Sequence, residues 1–117
     1  MDKIILKGKF KMLDYNISHK VLLFRKNNSY QFSEPNVDLI FESVFYMELP
    51  TSLEDICMYE ASDTILQEIE LKCGQRIYQH LGHNVYVIEC NQNAYYVGCS
   101  RYILQENRLP YTQSSIK

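Results

Sequence analysis

A chain of 117 residues, 46% hydrophobic and 13% aromatic with four Gly and three Pro, has the length of one domain and the composition of a packed core, which excludes a disordered or low-complexity protein. No apolar run of about 18 residues is present to span a bilayer, and the opening Met1-Asp-Lys-Ile-Ile-Leu-Lys7 is too short and too charged for a signal peptide. A cytoplasmic protein is therefore expected, with no membrane partner. The net charge of −2 conceals a partition: residues 1–26 carry seven bases and two acids, residues 27–71 ten acids and no base, and residues 72–117 five bases and two acids.

Lys7, Lys9 and Lys11 alternate with Gly8, Phe10 and Met12, so residues 3–15 read as a strand with lysines on one face. Asp14-Tyr-Asn-Ile-Ser18 is a turn, Val21-Leu-Leu-Phe24 lies in a returning strand over 19–26, and 27–36 is a polar loop ending near Pro35. The central run 37–49 places Leu39, Phe41, Phe45, Met47 and Leu49 on one side of a two-residue repeat, and Ile40, Glu42, Val44, Tyr46 and Glu48 on the other. It is long for a strand, so a bend near Ser43 is expected to divide it. Residues 50–55 form a turn and 56–61 a short strand. For 62–73 a helix is favoured over a strand: Ser62 or Asp63 caps it, Ile65, Leu66, Ile69 and Cys73 form its stripe, and Gly74 stops it. Strands then follow at 76–81, 85–90 and 94–99, with turns at 82–84 and 91–93 and a last short strand or turn at 102–104.

These elements predict an α+β fold: one domain over 1–109 dominated by a mostly antiparallel, curved β-sheet with one short helix at about 62–73, and a frayed polar tail over 110–117. An all-β barrel or sandwich is the alternative. The four cysteines (57, 73, 90, 99) are expected as free thiols, because a chain this apolar needs no disulfide staples.

The usual catalytic signatures are missing. His80-x-x-His83 has no Cys-x-x-Cys to complete a zinc site, no Gly-x-Ser-x-Gly surrounds a nucleophile, and the four glycines form no phosphate loop. No cofactor, metal or direct nucleic-acid contact is expected. The lysine row on 7–11 reads as a solvated or edge-protecting face.

The acidic middle is the feature beyond ordinary composition, since random placement would put roughly four or five of the bases in it. Either the flanking lysines neutralise it across strands, or its carboxylates form a surface for a basic partner. The expected partner-binding residues are Glu42, Tyr46, Glu48, Glu54, Asp55, Tyr59, Glu60, Asp63, Glu68 and Glu70. Ten tyrosines, among them Tyr46, Tyr59, Tyr95 and Tyr102, add rigid contact area suited to recognition. The leading expectation is a non-catalytic protein-binding protein, most concretely an immunity protein that neutralises a basic toxin such as a nuclease. The alternatives are a small metal-independent RNA-cleaving or RNA-processing enzyme using His19, His80 or His83, and a structural or adaptor homo-oligomer.

Overall fold

The lysine alternation does build the first strand, and in the computed structural model, which describes residues 2–27 and 34–116, it is also the longest strand. Residues 28–33 of the loop expected over 27–36 lie outside the described residues, as do Met1 and Lys117. In chain order the elements are β1 (Ile4–Asn16), β2 (Val21–Lys26), β3 (Asn36–Glu42), β4 (Tyr46–Glu48), β5 (Ser52–Glu60), α1 (Asp63–Cys73), a 3₁₀ turn at Gln79–Leu81, β6 (Asn84–Cys90), β7 (Asn93–Cys99) and β8 (Arg101–Asn107). All the described strand pairs are antiparallel, in the order β4-β7-β6-β5-β1-β2-β3-β8.

The two ends of that order are extensions of strands already inside it. β3 runs into β4 through Ser43-Val44-Phe45, and β7 into β8 through Ser100. The Tyr86 and Tyr102 rings, from β6 and β8, meet edge-on with centroids 5.3 Å apart, so the sheet curls until distant strands touch. At the meeting point the ladder breaks: Ser43 takes φ 54°, and Phe45 N–H to the Gly98 carbonyl and Ser100 N–H to the Glu42 carbonyl carry the contact across. The result is one domain with a curved antiparallel sheet and a single helix, consistent with α+β, and the sheet is not closed into a barrel.

Curling gathers the inner faces of β1, β2, β3, β5, β6 and β7 into one core that includes Phe10, Phe24, Phe41, Ile56, Met58 and Ile88. Each such side chain contributes roughly 1.5–3 kcal/mol by burial. The break near Ser43 was legible, but its effect on facing was not. The left-handed residue shifts the alternation by one, so Val44 enters the core at 3% exposure, while Met47, expected on the apolar side, is 37% exposed. A bulge at Gly8 and Asp55 does the same to β5: Leu53 and Ile56 both point inward, and Glu54 and Asp55 are both exposed.

Two covers shield the outer face. One is α1, capped as expected: the Ser62 hydroxyl accepts the Ile65 N–H, and Gly74, at φ 73°, donates its N–H to the Glu70 carbonyl. Ile69, the buried residue of the helix, matches Val85 and Val87, which are buried yet point away from the main core by strand alternation. The other cover is the C-terminal segment. Residues 110–116, expected to fray, lie against β2 and β3. One Arg25 guanidinium nitrogen donates to the carbonyls of Pro110, Tyr111 and Gln113, and Ser115 donates to Asp38.

The strand expected at 76–81 does not form. Its donors are satisfied locally: Glu70 accepts the Ile77 N–H, and the Tyr78 carbonyl accepts from both Leu81 and His83. Gly82, at φ 87°, then closes the 3₁₀ turn. The last strand runs over Arg101–Asn107, longer than the expected 102–104, because β3 offers it a complete antiparallel partner. The turn between β6 and β7 is two residues, Asn91 and Gln92, both left-handed as a tight hairpin requires. All four cysteines are free thiols; Cys90 and Cys99 are buried, and burial pushes the Cys99 thiol up to about 12. No described helix is long and apolar enough to cross a membrane.

Candidate functional site

The ten residues expected to bind a partner do not form one patch. Glu42 ends β3, where register sets it opposite Arg101, and its carboxylate accepts from that guanidinium. β3 and β8 are not hydrogen-bonded neighbours of β5 or β6, and the charge of Glu42 is answered by Arg101. Glu70 is also removed from the surface set, because its carboxylate holds the Ile77 N–H at 2.8 Å and shapes the segment after the helix.

Tyr46 and Glu48 are brought together on one face of β4, two residues apart. The Tyr46 hydroxyl donates to Glu48, which also accepts from Lys72 Nζ at 3.0 Å. Lys72 lies 5.8 Å from the Tyr96 ring centroid, so the end of α1 is pinned to the outer side of β4 and β7. Burial and then the hydrogen bond to Glu48 push the Tyr46 phenol up to about 12, while the Tyr46 and Lys72 donors hold the Glu48 carboxyl below its usual value. This cluster anchors the helix and has its charge answered within the chain.

Glu54, Asp55, Tyr59, Glu60, Asp63 and Glu68 follow one another along β5 and onto α1. Glu54 and Asp55 project side by side because of the bulge, and Asp55 accepts the Gly8 N–H at 2.8 Å. Lys9 stands opposite Glu54 in the β1–β5 register. The lysine row therefore does border the acids, as the neutralising expectation requires, but no salt bridge joins Glu54, Asp63 or Glu68 to a base among the described residues. Asp63 and Glu68 are exposed, and Asp63 sits in the first helical turn, where a carboxylate faces the positive end of the helix dipole.

Glu89 belongs with this surface although it lies outside the acidic segment. Strand alternation turns it outward on β6, opposite Cys57, and its carboxylate accepts the Tyr59 hydroxyl at 2.8 Å. That bond, followed by burial, pushes the Tyr59 phenol up to about 12, and Lys3 Nζ lies 5.0 Å over the same ring. The alternation Val85, Val87, Glu89 held the signal, but the pairing with Tyr59 needed the register.

His19 lies in the β1–β2 turn beside Lys20, which lines one groove together with His83. His83 Nδ1 accepts the Tyr78 N–H at 3.3 Å, which commits that nitrogen to closing the loop. No three His, Cys, Asp or Glu side chains converge to hold a metal among the described residues. Comparison of the chain with protein-family models, curated protein sequences and solved structures finds no match.

Proposed function

We propose that the protein is a non-catalytic binding module whose partner-facing surface is the outer side of β5 and β6 with the exposed face of α1. The observation that carries this reading is the run of exposed carboxylates, Glu54, Asp55, Asp63, Glu68 and Glu89, around a tyrosine held rigid by a carboxylate. Tyr59 offers area at low entropic cost, and exposed carboxylates speed encounter with a positive surface. The partner is a basic protein, and the concrete biological version is a nuclease toxin whose phosphate cleft is covered, this chain being its immunity protein. Inhibition then comes from steric blocking together with carboxylates standing where phosphate would bind.

The test is affinity capture from the source cell at low salt, with the wild type beside a Glu54→Lys, Glu68→Lys variant. A basic protein retained by the wild type and released by modest salt, with association slowed about tenfold or more in the variant, is the expected result. Capture of the same protein equally well by both forms removes the reading.

A further inference from the structure

The break between β3 and β4 opens a groove of about 700 Å³ between the 43–45 kink and the segment 75–83. Its charged lining is Lys20, Arg76 and the titratable His83, with no Asp or Glu, although this chain has more acids than bases. The Lys20 and Arg76 side chains are exposed, and neither makes a hydrogen bond or ion pair with a described residue. Two unanswered cations beside one concavity call for an anion.

The rest of the lining is aromatic. His83 stands with its ring centroid 5.6 Å from that of Phe45 and 6.3 Å from that of Tyr78, so the three rings form a continuous strip. Gly98 makes room for it: a Cβ there would lie 2.6 Å from the Phe45 ring. Because His83 Nδ1 accepts the Tyr78 N–H, the neutral imidazole carries its proton on Nε2 as a donor. Lys20 and Ser43 both adopt left-handed backbone, at φ 55° and 54°, and are tied together by the Val44 N–H to the Lys20 carbonyl at 2.8 Å.

Size and charge choose among anions. The volume falls in the range of about 300–1,000 Å³ typical of small-ligand sites. A long polyanion draws its affinity from many phosphate contacts, on the order of six to ten, and this groove offers two fixed cations on a chain of net charge −2. We propose that the groove binds a small phosphate-bearing molecule with a flat ring, the chemistry of a mononucleotide. Lys20 and Arg76 take the phosphate, Tyr78 and Phe45 stack on the ring, and the Ser43 hydroxyl and His83 Nε2 supply hydrogen bonds. This site is separate from the acidic surface and does not depend on it.

The experiment is an amide NMR titration of the full chain with adenosine 5′-monophosphate, adenosine and inorganic phosphate in turn. The monophosphate should give saturable shifts at residues 43–45, 76–83 and 100 and bind about tenfold or more tighter than either fragment. Arg76→Glu and Lys20→Gln, both at exposed side chains, should each weaken it about tenfold, while a Lys9→Gln, Lys11→Gln control stays unchanged. The absence of saturable shifts at about 10 mM ligand, equal loss in the control, or unchanged binding by Arg76→Glu overturns the proposal. Tighter binding of a short single-stranded RNA than of the monophosphate also overturns it, in favour of a polynucleotide surface.

Discussion

Arg25–Asp38 and Glu48–Lys72 use the same chemistry in opposite settings. The first pair stands directly opposite in the β2–β3 register, 2.7 Å apart, with side chains 2% and 0% exposed. Asp38 also accepts from Asn107 and Ser115, and Arg25 Nη1 donates to three carbonyls of the C-terminal segment. The second pair is half in water, with Lys72 51% and Glu48 35% exposed. Coulomb attraction is screened at such a site, and ordering two long side chains offsets what is left of it, so the pair contributes little. Burial, not the identity of the ions, decides what each pair does: one organises the fold, and the other steadies a helix end.

Asp38→Ala leaves a buried guanidinium without its counter-charge. A loss of about 3–5 kcal/mol is expected in chemical denaturation; a loss under about 1 kcal/mol, the value for a surface pair, would collapse the distinction. The pH dependence follows from the same site. Burial alone pushes the Asp38 carboxyl up, but the hydrogen bonds from Arg25, Ser115 and Asn107 and the Arg25 charge outweigh it and hold the group below 3.8. A depressed carboxylate contributes stability that is present above its unfolded value and lost as pH falls through the folded one. The wild type should therefore lose stability as pH drops below 3.8, and Asp38→Asn should flatten that part of the curve.

A smaller effect tests the cover itself. Ending the chain at Leu109 removes the three carbonyls and Ser115 while keeping the Leu109 carbonyl that accepts from Asn36. Water re-enters, and a loss of about 1–3 kcal/mol is expected for the donors left imperfectly paired, read as a lower thermal midpoint. Smallest of all, Glu42→Gln and Glu48→Gln should each change stability by less than about 1 kcal/mol, the effect shrinking further in high salt.

Much of the fold was readable because it depends on short-range rules. The helix over 62–73 followed from Ser62, the Ile65–Ile69 spacing and Gly74, and the curved antiparallel sheet from runs of alternating residues between polar turns. Facing was harder. One left-handed residue, Ser43 or Asp55, shifts every side chain beyond it; Asp tolerates that conformation and Ser has no such preference, and neither residue type shows where it will be used. The strand expected at 76–81 failed for a related reason: its apolar residues fit a strand, but Glu70 and Gly82 satisfy and close the backbone locally.

The acidic stretch 27–71 shows where sequence stops and tertiary structure begins. Its one-sided charge is a property of the sequence alone, countable before any fold is known. What the charges do depends on register and burial: Asp38 is enclosed with Arg25, Glu42 and Glu48 meet Arg101 and Lys72, and Glu70 is spent on a backbone donor. The carboxylates along β5 and α1 are left exposed, joined there by Glu89 from a later strand, while Glu34 is exposed apart from them ahead of β3. The reason is distance along the chain. Partners 13 to 59 residues apart meet only when strands pair and the helix packs on the sheet, and a linear pattern carries no record of which ones will.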